Sequence, residues 1–337
     1  MMKWLHFPIW FAALFTESKS FVSNPVLGSK RLNFLGLHVV RVFTAHYIMR
    51  LRMVFFAWGV SKEDRKQFQE NGYLMKTNFL PEDVYTALIH EIKLAKAEVR
   101  QCCQGDSQTR RMLLSPEALI DMPITKKVLN DPVFKRLMRY TAGHARMPMM
   151  HAENVMNGVT ESTPDPQTSL HIDTFHPTMK FWLYLEPVSR VNGPFIYVPG
   201  SNRLTSQRLS WEYGMSLGAK THSNPYTSRG SFRLSSEEAQ AFANGAEKSF
   251  TVPGNTLLIA NTFGAHARGS SDSGSSRLAL WGSSRTNPFI PLPGLGFEFF
   301  NRLQYKVLQR ARLKEDEKAA KRGNKSSWHR IEGKDAW

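Results

Sequence analysis

The chain of 337 residues is 42% hydrophobic and 12% aromatic, enough to bury a sizeable core, and no repeat or Ser/Gly/Pro linker divides it, so one large domain with appended ends is expected. Its two cysteines, Cys102 and Cys103, are adjacent, which excludes a disulfide framework and points to a reducing compartment. The net charge of +16 is concentrated at the ends, with seven basic against one acidic residue in 1–60 and eleven against five in 302–337, a distribution suited to docking on an anionic phospholipid surface or a nucleic acid.

Met1 to Phe15 begins with a lysine and an apolar run that resembles a weak signal peptide, but His6 and Pro8 interrupt it and no small-x-small cleavage site follows. The next apolar stretch, Leu32 to Val60, is broken by His38, Arg41, His46, Arg50 and Arg52, so it is not expected to span a bilayer. Residues 1–60 are therefore expected to form a basic, aromatic-rich extension that docks on a membrane, with Arg stems snorkelling and Trp58 near the interface. The competing expectation is that these residues pack on the outside of the folded domain.

Ser61 followed by Asp64 predicts a helix cap, Gly72-Tyr73-Leu74 opens a strand, and Asn78-Phe79-Leu80-Pro81-Glu82 starts a helix expected to run to about Gln104. Pro123 and Pro132 punctuate short helices over 114–143, and Arg146 to Val159 turns extended and methionine-rich. A loop over 161–167 precedes His171. Phe181-Trp182-Leu183-Tyr184-Leu185 is nearly continuous apolar, as a central sandwich strand should be. Asn192-Gly193 predicts a hairpin turn into Phe195-Ile196-Tyr197-Val198. Residues 202–249 form a lid insertion whose Arg203, Arg208, Lys220, Arg229 and Arg233 are expected to face an anionic substrate. Strands follow at Leu257–Ala260 and Arg277–Trp281. Residues 301–337 read as a basic helix to Ala320 and a tail that frays at Gly323-Asn324, leaving 61–300 as the central domain.

Chemistry concentrates in His171-Ile172-Asp173, then 92 intervening residues, then His266 and, after ten more, Arg277. Two imidazoles and one carboxylate on a single face of a metal form the facial triad of non-haem Fe(II) oxygenases and leave three positions open. His171 and Asp173, two apart on a strand, would point to the same side. The same ligands permit a cupin isomerase or a dioxygenase without co-substrate. Arg277 tips the balance to 2-oxoglutarate, whose distal carboxylate requires a planar double donor. Its strand periodicity places Arg277, Ala279 and Trp281 on one face. Arg268 shares the face of His266, Arg285 is the weaker alternative for the co-substrate, and His176 reads as pocket lining.

The run Lys180-Phe181-Trp182-Leu183-Tyr184-Leu185-Glu186-Pro187, then Ser189-Arg190-Val191-Asn192-Gly193, then Gly193-Pro194-Phe195 to Pro199-Gly200-Ser201, resembles the phytanoyl-CoA dioxygenase family over about residues 61–290. That resemblance implies a mainly β fold with flanking helices, a double-stranded β-helix or jelly roll. It also implies Fe(II) held by His171, Asp173 and His266, with 2-oxoglutarate and O2 as co-substrates, Arg277 on the co-substrate and Trp182 beside it. Asn202 departs from the histidine usual after Pro-Gly-Ser, which touches a loop anchor and leaves the triad intact. Asp173, where related halogenases have glycine or alanine, implies hydroxylation.

The pattern Asn24-Pro25-x2-Gly28-Ser29-x2-Leu32-Asn33-x2-Gly36-Leu37-His38 is similar to the bacterial Kdo hydroxylases, which act on the acidic sugar of the lipopolysaccharide inner core. The expected partner is then an anionic glycolipid or membrane surface rather than nucleic acid. The expected location is the cytoplasmic face of the inner membrane, peripherally, or else the cytoplasm. A free metabolite, an amino acid or an acyl-CoA are the other substrate classes, and a non-catalytic jelly-roll protein binding membrane or RNA is the alternative of a different kind. Oligomeric state is left open.

Overall fold

The computed structural model describes residues 7–159, 163, 165–243 and 245–331. Met1–His6, part of the expected 161–167 loop and the last six residues lie outside the described residues.

Eleven strands among these form two antiparallel sheets: β1 Tyr73–Lys76, β2 Val99–Gln104, β3 Ser107–Leu113, β4 Met149–Met156, β5 Met179–Tyr184, β6 Phe195–Tyr197, β7 Lys248–Phe250, β8 Thr256–Asn261, β9 His266–Arg268, β10 Ser276–Ser284 and β11 His329–Ile331. The larger sheet runs β1-β8-β5-β10-β4-β3-β2-β11 and the smaller β7-β6-β9. They face each other as the double-stranded β-helix that the sequence pattern implies. Trp182 of β5 meets Phe195 of β6 at 4.7 Å between ring centroids, and Tyr73 of β1 meets Phe250 of β7 at 4.8 Å.

Period-two alternation explains why the central strands read as unbroken apolar runs. On β5, β8 and β10, the residues Phe181, Leu183, Leu257, Ile259, Leu278 and Leu280 join the core beneath the helices, whereas Trp182, Tyr184, Leu258, Ala260 and Ala279 line the space between the sheets. Both faces of the large sheet are therefore covered, and each buried Leu, Ile or Phe among these contributes roughly 1.5–3 kcal/mol. The helices Glu82–Leu94, Pro123–Asn130 and Pro132–Ala142 supply the outer cover.

Four expectations fail for identifiable reasons. The helix after Pro81 stops at Leu94, and 99–104 is strand β2; Gly105-Asp106 folds it back so that Gln104 faces Ser107 and Val99 faces Met112. That two-residue turn was the readable signal. The tail does not fray at Gly323-Asn324, because Arg100, 2% exposed, holds Asp316 at 2.7 Å and the Trp328 carbonyl at 2.8 Å, and β11 pairs with β2. Asn192-Gly193 does not close a hairpin between neighbours: β5 and β6 belong to different sheets, and the turn passes the chain from one sheet to the other. Finally, Arg208 does not face a substrate. It is fully buried and paired with Glu212 at 3.0 Å.

The Leu37–Phe55 helix departs from ordinary amphipathicity, with charged residues inside and large apolar ones outside. Its buried face carries His38, Arg41, His46 and Arg52 beside Val42, Ala45, Met49 and Met53. Its exposed face carries Val40, Phe43, Tyr47, Leu51, Val54 and Phe55, and the chain beyond adds Trp58, which is 88% exposed. Arg41 and Arg52 therefore do not snorkel. Arg41 donates to the carbonyls of Leu14 (2.9 Å), Thr16 (3.1 Å) and Ser18 (2.8 Å), and Arg52 donates to Thr286 and the Asn287 carbonyl.

The residues preceding that helix are folded by their own polar groups. Asn24 accepts from Val26 N and donates to the Trp10 carbonyl, and Asn33 donates to the Leu27 carbonyl. Gly28 is required by proximity, since a Cβ there would lie 2.0 Å from the Phe21 carbonyl oxygen. No helix among the described residues is long and apolar enough to cross a membrane.

Candidate metal centre

His171 and His266 are brought together by the backbone. Each N–H donates to the other's carbonyl at 2.9 Å, the arrangement of directly opposed antiparallel residues, whose side chains share a face. The rings consequently lie 4.4 Å apart. Residues 171–173 are not a regular strand as expected: the segment is wedged between 231–233 and 262–266, with Ile172 N on the Phe232 carbonyl and Asp173 N on the Thr262 carbonyl. Asp173 still reaches the same point. Its Oδ1 is 3.9 Å from His171 Nε2 and 3.8 Å from His266 Nε2, and the three ligating atoms lie within 4.8 Å of one another.

Tautomers are set from behind. His171 Nδ1 lies 2.8 Å from the Ser169 carbonyl and His266 Nδ1 2.9 Å from the Gly264 carbonyl, so each Nδ1 carries the donated proton and each Nε2 presents a lone pair. Both Nε2 atoms are buried without a hydrogen-bond partner among the described residues, a costly state unless a ligand uses them. Burial lowers the pKa of His266 to about 4 and holds His171 well below the imidazole range, His266 adding to the latter. Burial would raise Asp173, but Lys180, His266 and Arg285 together hold it well below the carboxylate range. Two neutral imidazoles and an ionised carboxylate converging on one point suit a divalent metal such as iron.

A cavity of about 250 Å³ adjoins this point and is lined among others by His171, His266, Lys180, Trp182, Arg277 and Trp281. Arg277 is buried on the inward face of β10, as its periodicity predicts, and one guanidinium N–H donates to the Gly193 carbonyl. Arg268 shares the cavity but is paired with Asp165 at 2.6 Å. Arg285 is half exposed, outside the cavity, with Nη2 3.9 Å from Asp173 Oδ2. His176 is buried against Phe175 at 4.9 Å between centroids and does not line the cavity. Asn202 serves as a loop anchor, its Nδ2 donating to the Gln69 carbonyl at 3.1 Å.

Several residues of the site escaped the sequence. Lys180 lies 2.8 Å from Asp173 Oδ2; its place two before Trp182 on an inward-facing strand was a usable signal. Lys19 donates to the Asp173 carbonyl oxygen from 154 positions away, with nothing local to announce it. Burial, then Arg285, lowers its pKa to about 8. Arg111, salt-bridged to Glu153 at 2.6 Å, is sandwiched 3.9 Å from Trp281 and 4.7 Å from Trp328 at the cavity wall.

The family model described as Phytanoyl-CoA dioxygenase (PhyH) matches residues 68–248. No curated protein matches the chain. Solved structures similar to it include the epimerase SnoN in complex with Fe3+, alpha ketoglutarate and nogalamycin RO, at 16% identity and a TM-score of 0.45 over 70% of this chain and 91% of that one. HygX from Streptomyces hygroscopicus, with nickel and 2-oxoglutarate bound, shows 14% identity and a TM-score of 0.43 over 67% of this chain and 87% of that one.

Proposed function

We propose, from the premise that the chain belongs to the phytanoyl-CoA dioxygenase family and so is an Fe(II)- and 2-oxoglutarate-dependent enzyme, that it hydroxylates an anionic, membrane-held substrate such as the Kdo sugar of lipopolysaccharide. The observation that carries the metal assignment is the convergence of two partnerless imidazole nitrogens and Asp173 Oδ1 on one buried point. His171, Asp173 and His266 are the metal ligands in this reading. Iron, 2-oxoglutarate and O2, when bound, supply the oxidising power for C–H hydroxylation, with succinate and CO2 as the other products.

The chain's own contribution is placement. His171 and His266 offer Nε2 because backbone carbonyls hold their Nδ1 protons. Lys180 grips Asp173 Oδ2, which keeps the carboxylate ionised and leaves Oδ1 turned to the imidazoles. Arg277 provides the planar fork for the distal carboxylate of 2-oxoglutarate, while Trp182 and Phe195 form an apolar wall that excludes water. Arg277→Lys is expected to retain iron yet raise the 2-oxoglutarate concentration needed for half-maximal turnover roughly ten- to hundredfold, since a charged hydrogen bond is worth about 1.5–3 kcal/mol. An unchanged requirement in steady-state succinate assays would move the role elsewhere.

Support for the substrate class comes from the basic ends, from residues 24–38 and from the outward apolar face of the Leu37–Phe55 helix. That face, with Arg50 exposed among it, suits the headgroup region of an anionic bilayer, on the cytoplasmic side of the inner membrane in this reading. A variant carrying Phe43→Gln, Val54→Gln, Phe55→Gln and Trp58→Gln is expected to lose at least tenfold in sedimentation with anionic liposomes and to keep its melting temperature, because these side chains already face solvent. High salt should weaken wild-type binding without abolishing it, as apolar insertion is not screened. Equal sedimentation of variant and wild type would remove the membrane from the proposal. Incubation with Kdo-lipid A, acyl-CoAs and amino acids, following succinate and a mass gain of one oxygen, tests the substrate; turnover of a free metabolite alone would favour the soluble alternative.

A further inference from the structure

Three cations from separate segments contact Asp173, and a fourth, Arg233, is brought to the metal centre by its backbone pairing with His171. Lys19 comes from the N-terminal segment, Lys180 from β5, Arg233 from the lid insertion and Arg285 from the chain after β10. Lys180 and Arg285 address Asp173 Oδ2, and Lys19 addresses the Asp173 carbonyl oxygen. Arg233 is held by Ser231 Oγ at 2.9 Å and lies 4.6 Å over the Tyr226 ring. Among the described residues, Asp173 is the only carboxylate within salt-bridge reach of any of the four.

Charge then decides the matter. With iron and 2-oxoglutarate bound, the metal, the Asp173 carboxylate, the co-substrate dianion and Arg277 would sum to zero, which leaves Lys19, Lys180, Arg233 and the half-exposed Arg285 with no protein carboxylate in reach beyond Asp173. Such an excess attracts an anion. 2-Oxoglutarate is not that anion, because its distal carboxylate goes into the cavity with Arg277, whereas Lys19, Arg233 and Arg285 do not line that cavity.

Resting on the proposed oxygenase function, we infer that Lys19, Arg233 and Arg285 form a substrate subsite for an oxyanion, carboxylate or phosphate, beside the metal centre and outside the cavity that Arg277 lines. The subsite fixes which C–H bond lies next to the metal. It also makes the N-terminal segment part of the active site. Arg41 collects the carbonyls of Leu14, Thr16 and Ser18 and so delivers Lys19, a positioning role for a residue that touches no substrate.

The test uses the full-length protein loaded with Ni(II) and 2-oxoglutarate, titrated calorimetrically at constant ionic strength with inorganic phosphate, with free Kdo and with Kdo methyl ester. Phosphate, Kdo or both should bind at one per chain, and the ester at least tenfold more weakly than Kdo. Lys19→Met, Arg233→Met and Arg285→Met should each weaken anion binding at least tenfold while nickel and 2-oxoglutarate still load. Lys19→Arg should stay within threefold, and Arg203→Met, an exposed lid cation outside the cluster, should change nothing. Binding by Kdo but not phosphate identifies a carboxylate subsite, and the reverse a phosphate subsite. If metal and co-substrate load but neither anion binds, or the three variants bind as the unchanged protein does, the subsite is overturned and the oxygenase reading survives. If metal and 2-oxoglutarate fail to load, both fall.

Discussion

His266→Ala and Asp173→Ala are each expected to abolish stoichiometric Fe(II) binding and, with it, succinate production. Removing a residue that merely orients a metal ligand typically costs 10–100-fold in affinity; removing one of only three protein ligands should cost more than about 100-fold, enough to leave the metal behind on desalting. The two variants should differ in stability. His266→Ala removes a buried, neutral ring and opens a small cavity. Asp173→Ala also removes the carboxylate that faces Lys180 and Arg285, so its melting temperature should fall further. Metal content after gel filtration, read beside circular dichroism, separates ligand loss from unfolding. Full occupancy with normal turnover in either variant would show that the ligands lie elsewhere.

A second large effect is expected away from the metal. Glu212, fully buried, accepts from Arg208 at 3.0 Å and lies 2.8 Å from His38 Nε2, while Arg208 also donates to the Ser201 and Phe263 carbonyls. Glu212→Ala strands a buried guanidinium and should cost about 3–5 kcal/mol in urea unfolding, a large share of the roughly 5–15 kcal/mol typical of a domain. The double variant Arg208→Met/Glu212→Leu should be less damaging than the single one, because it removes both charges and fills the space. Burial opposes ionisation of Glu212, but Arg208 and His38 win and lower its pKa below the carboxylate value. A lowered folded pKa means that this stabilisation is present above the unfolded value and is lost as pH falls through the folded one. A Glu212→Ala cost under about 1 kcal/mol would show that the pair is dispensable.

The residues readable in advance were those whose meaning is local. His171-x-Asp173, the distal His266 and Arg277 carry their chemistry in short spacings, and the alternation of β10 turned Arg277 inward as expected. Arg208-x3-Glu212 was an available i,i+4 signal for an internal pair, yet the surrounding polar insertion made Arg208 read as a surface charge. Arg233 was legible as a lid cation, but Lys19 could not be found by pattern. Lys19 meets Asp173 only because the chain folds back over 154 positions, and such contacts leave no periodicity. The Leu37–Phe55 helix misled for a physical reason: Arg41 and Arg52 are satisfied by backbone carbonyls of distant loops, so they share the inside with Val42, Ala45, Met49 and Met53 while large apolar residues fill the outside, against the usual pattern.

The pairing of β11 with β2 has a consequence for biosynthesis. Arg100 and its carbonyl partner at Trp328 are separated by 228 residues, so at translation rates of roughly 5–20 residues per second the outer edge of β2 stays open for about 10–45 s after it leaves the ribosome. During that interval a nascent chain displays unpaired strand N–H and C=O groups and an arginine still waiting for Asp316. Another nascent chain on the same polysome offers the same edge, so the dominant hazard is like-with-like strand pairing before release. The three-residue β11 shortens that exposure by covering Val99, Arg100 and Gln101 of the six-residue edge, and the burden on chaperones should fall most heavily on chains that have not yet made β11.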